Sequence, residues 1–87
     1  MPATPDDEIG RELMATELRE QTIVVILPPG HAEQLWFTMW VEKVGDEFVW
    51  FYSALLRWHV ILKRQADGTL IDERRRVTRV FEYLGEI

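Results

Sequence analysis

The hydrophobic positions along this chain change period several times, and each change marks an element. Ile9, Leu13, Met14 and Leu18 recur at helical spacing, with Arg11, Glu12, Glu17 and Arg19 mostly off that stripe. Before them, Thr4-Pro5-Asp6-Asp7-Glu8 has the chemistry of a helix start. A hydroxyl can cap free N–H groups, a proline suits the first helical position, and the acids favour the positive end of the dipole. The pattern predicts a helix over 6–19, behind a flexible tail over 1–5. Thr22–Leu27 is then an unbroken β-branched and aliphatic run, which predicts a strand over 22–27 buried on both faces. Pro28-Pro29-Gly30 ends it, because proline cannot donate to a sheet ladder.

Two β-rich runs flank Gly45-Asp46 and predict a hairpin with strands over 35–44 and 47–54. Its register stays open. A two-residue loop at Gly45-Asp46 sets Trp40 opposite Phe51, whereas a three-residue loop sets Trp40 opposite Tyr52 and Val41 opposite Phe51. A bend or bulge is expected near Ser53-Ala54. Leu56, Trp58, Val60 and Leu62 next alternate with Arg57, His59 and Lys63, with Ile61 as the exception, giving a half-exposed strand over 56–65. Asp67-Gly68 signals a tight turn, after which Leu70–Asp72 pairs back briefly. A last alternating run, ended by Gly85, predicts a strand over 76–84. The expected class is α+β: an N-terminal helix followed by a five-stranded, strongly bent antiparallel sheet or small SH3-like barrel, forming one small domain over 6–87. The barrel label is an analogy from strand count.

Eight of the ten aromatic residues fall between Trp36 and Trp58, and the hairpin carries large apolar groups on both faces. A chain of 87 residues has little apolar material to leave in water. Most of these aromatics are therefore expected in the core, with the predicted helix and the curvature of the sheet covering the two faces. Trp36, Trp40, Trp50 and Tyr52 are the candidates for a residual interaction surface.

Charge changes the picture next. The net charge is −5, yet residues 57–79 hold seven basic side chains against three acids, and the rest holds three against twelve. The basic set Arg57, Lys63, Arg64, Arg74, Arg75 and Arg76 flanks the Asp67-Gly68 turn. With neighbouring aromatics it fits a phosphate-binding patch for single-stranded nucleic acid. Charged strand edges that block aggregation explain the same residues more simply. The acidic remainder also suits docking on a basic surface, although a solvated acidic helix face explains the same residues more simply.

Enzymatic chemistry finds no purchase. There is no cysteine and no glycine-rich phosphate loop. Ser53 with His59 is a pairing that chance supplies, and His31 with Glu33 falls short of the three or four ligands a zinc site needs. No catalytic residue, metal site or cofactor is implied, although His59 is a conceivable polar group for a small molecule inside a barrel. No run approaches a membrane span and the acidic N-terminus lacks a signal-peptide core, which predicts a cytoplasmic protein. The leading expectation is a small non-enzymatic module that binds a protein partner or a second copy of itself, with nucleic acid as the alternative.

Overall fold

The structure, a computed structural model, describes residues 8–29 and 37–85. Among them, seven antiparallel strands run in chain order: β1 (Ile9–Leu13), β2 (Ile23–Leu27), β3 (Phe37–Val44), β4 (Phe48–Ser53), β5 (Trp58–Arg64), β6 (Leu70–Ile71) and β7 (Val77–Tyr83). The sheet order is β1-β7-β2-β3-β4-β5-β6, and β6 also pairs with β7. That last pairing closes six strands into a small barrel, compatible with the SH3-like type, and leaves β1 as an additional strand. On one edge of β7, β6 takes Val77 and Thr78 while β1 takes the stretch from Val80 to Tyr83. The two short strands thus share an edge, end to end.

The predicted helix over 6–19 is not formed among the described residues, and the α+β class falls with it. Ile9–Leu13 is strand, followed by one 3-10 turn at Ala15–Glu17. The helical spacing has another origin. Ile9 sits opposite Tyr83 and Leu13 opposite Val80, with Gly10 and Arg11 together facing Glu82 in a bulge. That one-residue slip carries Ile9 and Leu13 to different surroundings, so their spacing never described one helical face. Gly10 also argues against a helix. A Cβ there would lie 2.8 Å from the Glu82 Cβ, so the close approach of β1 to β7 requires glycine. Beyond β1, the Ala15 N–H donates to the Gly68 carbonyl at 2.8 Å and Gln21 bonds to Val41, which draws residues 15–21 across one end of the barrel. Ala15 and Leu18 are buried there as a plug.

The remaining strands fall close to their predicted ranges. Val24, Val25 and Ile26 are all buried, as a strand covered on both faces requires. Residues 54–57 make the β4–β5 turn, with Arg57 left-handed at φ 52°. Gly68, at φ +89°, makes the β5–β6 turn, where the Asp67 carboxylate accepts from both the N–H and the hydroxyl of Thr69.

The hairpin register resolves through a bulge. Val44 pairs with Val49 and Lys43 with Trp50, but Val41 pairs with Phe51 and Trp40 with Tyr52. Glu42 is the extra residue. The far pairing is that of the three-residue loop, reached instead by a tight turn at Asp46-Glu47 and a slip at Glu42. The slip keeps Met39, Val41 and Val44 against the core while Glu42 and Lys43 both face outward.

The core is Ala15, Leu18, Val24, Ile26, Met39, Val41, Val49, Phe51, Leu62, Leu70 and Val80. Among the described residues Phe51 is its only fully buried aromatic, with Phe37 partly buried against it, which corrects the expectation that most aromatics are in the core. A six-stranded barrel has a narrow interior that aliphatic side chains fill, and indole rings are too large for most positions in it.

Candidate interaction surface

Strand alternation turns β3, β4 and β5 into a wall with two distinct faces. Inward go Met39, Val41, Val49, Phe51 and Leu62. Outward, cross-strand pairing builds three rows. In the first, Ile23 faces Trp40, Trp40 faces Tyr52, and Tyr52 faces His59. The second joins Lys43, Trp50 and Ile61, and the third joins Phe48, Lys63, Ile71 and Val77. Trp40, Ile61 and Val77 are 38, 51 and 50% exposed, and Phe48, Trp50 and Tyr52 are half-buried.

The polar groups on this face are seated on its rings. The His59 imidazole lies 4.7 Å from the Tyr52 ring, and its Nε2 is hydrogen-bonded to Glu42 Oε2 at 3.1 Å. Lys43 Nζ stands 5.2 Å above the Trp50 ring, in cation–π range, and Phe48 meets Trp50 edge-on at 6.1 Å. Because of the bulge, the acid Glu42 and the base Lys43 sit side by side on this face.

Three of the four proposed surface residues, Trp40, Trp50 and Tyr52, therefore fall on one face. Trp36 lies outside the described residues, as do His31 and Glu33. Ile61, Phe48, Glu42 and Lys43 belong to the same face and were not singled out. Ile61 was the break in the β5 alternation, an aliphatic residue at an outward position, and that break was the available signal.

The basic set is less coherent. Arg64 Nη1 donates to the Gly45 carbonyl at 2.7 Å, and Arg76 Nε bonds to Asp72 at 3.2 Å. Arg57 stands in the β4–β5 turn, at the opposite end of β5 from Arg64. Lys63 and Arg75 share a shallow depression with Phe48 and Ile61, but Asp72 and Glu73 line it too. The Arg74 side chain is exposed in the β6–β7 turn, where its N–H donates to Asp72. Ser53 and His59 are not brought together. Ser53 is buried with its Oγ accepting from the Leu56 N–H, whereas the imidazole lies on the outer face. Among the described residues, no three His or acidic side chains are grouped to hold a metal, and no helix is long and apolar enough to cross a membrane. Comparison with family models, curated proteins and solved structures finds no match.

Proposed function

We propose that this chain is a non-enzymatic interaction module that associates through the outer face of β3, β4 and β5, with a second copy of itself as the first partner. One observation carries this reading. The barrel core is complete without Trp40, Trp50, Tyr52 and Ile61, yet these residues form one continuous apolar face outside it. Contiguous apolar surface of this kind marks an interface more often than it marks neutral surface. Glu42 and Lys43 add a reason for self-pairing. Across a two-fold axis, adjacent opposite charges offer each copy what the other needs. Light scattering over a concentration series is the test. The reading predicts a rising mean mass that the double substitution Trp40→Ser, Ile61→Ser abolishes without unfolding the barrel. A mass fixed at the monomer value throughout would reject it.

The alternative, single-stranded nucleic acid, is supported by Lys63 and Arg75 beside Phe48 and Ile61. It predicts oligonucleotide binding at low ionic strength that weakens steeply as salt is added. Absence of binding at low salt would remove it.

A further inference from the structure

The barrel wall has a gap along β5. The Arg64 N–H bonds to Glu47 on the β4 side, and the Gln65 N–H bonds to Thr69 on the β6 side. Backbone groups alternate sides along a strand. It follows that the N–H and C=O groups of His59 and Ile61 face away from β4. β6 meets this edge only at Lys63 and Arg64. Beyond Ile71 the chain turns off, because the Asp72 carboxylate accepts from the N–H groups of Arg74 and Arg76 and the Asp72 N–H donates to the Arg76 carbonyl. Among the described residues, no strand lies against His59 and Ile61.

The space left there is a half-open cavity of about 450 Å³. Ile26, Met39, Val60 and Leu62 line it with apolar groups, while Asp72 and Glu73 stand on its rim. The sheet's other open edge is built differently. β1 carries a bulge, a glycine and the charged pair Arg11–Glu12, the usual devices against strand addition. The β5 edge over Trp58–Leu62 has no proline, bulge or lysine.

We propose that this β5 edge is a binding site for an extended peptide, which enters the gap as an added strand and pairs with the backbone of His59 and Ile61. The peptide residue opposite Val60 points into the cavity and is apolar. Its neighbours exchange main-chain hydrogen bonds with the protein and point outward. The rim carries both signs: Arg76 is bound to Asp72, and Lys63 and Arg75 stand beside Glu73. The outward residues of the peptide face solvent and are polar. A single strand suits the gap better than a second barrel, because the β6–β7 turn and Pro28-Pro29 wall the cavity opposite β5. This site adjoins the outer aromatic face at His59 and Ile61, but it uses their main-chain groups rather than their side chains.

The test uses the capped peptide Val-Lys-Leu-Lys-Val and a control N-methylated at both lysines. The control keeps every side chain but loses the two donors. With peptide at ten times its dissociation constant, exchange of the His59 and Ile61 amide protons is expected to slow about tenfold. The control is expected to leave their exchange unchanged. Equal protection by both peptides, or by neither, overturns the proposal. Protection that grows with protein concentration in the absence of peptide overturns it in favour of a second copy at this edge.

Discussion

Consecutive residues of β4 meet opposite fates. Val49, Phe51 and Ser53 are sealed inside the barrel, while Phe48, Trp50 and Tyr52 stand on its outer wall. The same division runs through β3, where Val41 is buried and Trp40 exposed, and through β5, where Leu62 is buried and Ile61 exposed. Both faces are apolar, but they differ in side-chain size. The core is aliphatic apart from Phe51, with Phe37 packed against it, whereas the outer face holds Trp40, Trp50 and Tyr52. Barrel closure explains the difference: six strands leave a narrow interior, so large rings collect where there is room. In this molecule, aromatic content measures the outer surface more than the core.

Substitutions that separate the two faces test this contrast. Phe51→Ala empties the centre of the core and is expected to cost about 3–5 kcal/mol in urea unfolding. Trp50→Ala removes a half-buried ring from the other side of the same strand and is expected to cost about 1–2 kcal/mol. If Trp50→Ala proves the more damaging, the division of roles between the faces is wrong. Trp40→Ser is expected to cost about 1 kcal/mol or less, as at other surface positions. Its larger effect should be on association, read as a lower mean mass at high protein concentration.

The smallest effect is electrostatic, and it sharpens the contrast by lying away from the aromatic face. Glu12 is held below its ordinary value by a hydrogen bond from Arg79, which ties β1 to β7. Glu17 is lowered by Arg11, Asp67 by the Thr69 hydroxyl and Asp72 by the Arg76 N–H. A carboxyl group whose pKa is lower in the folded state stabilises fully above its unfolded value and loses that contribution as pH falls through the folded one. The melting temperature should therefore be flat from neutral pH down to the ordinary values of 4.5 for Glu and 3.8 for Asp, and should decline below them. These pairs are solvent-exposed, so the decline should be shallow and further reduced by salt. A steep loss well above pH 5 would point to a buried titrating group that this account lacks.

Much of the fold was legible from residue pattern alone. The β-branched run at 22–27, the hairpin around Gly45 and the Asp67-Gly68 turn all state their structure locally. The N-terminal segment misled because a bulge at Gly10-Arg11 imitates helical spacing, and only pairing with β7, some seventy residues away, tells the two apart. The bulge at Glu42 was hidden for a related reason. Two loop lengths fitted the hairpin, and the choice rests on which register buries Val41 and Val44 together. On the surface, Trp40, Trp50 and Tyr52 were readable as a group, but the grouping of Lys63 with Arg75, and the diversion of Arg64 to Gly45, depend on how β5 and the β6–β7 turn meet.

The central claim is that the outer face of β3, β4 and β5 is a contact surface, and its tryptophans report on it directly. The measurement is the position and width of the indole Nε1–H resonances as protein concentration is raised. The account predicts that the Trp40 and Trp50 signals shift and broaden together while the methyl signals of Val41, Val49 and Leu62 stay fixed. Indole signals that remain unchanged across the whole series would contradict it.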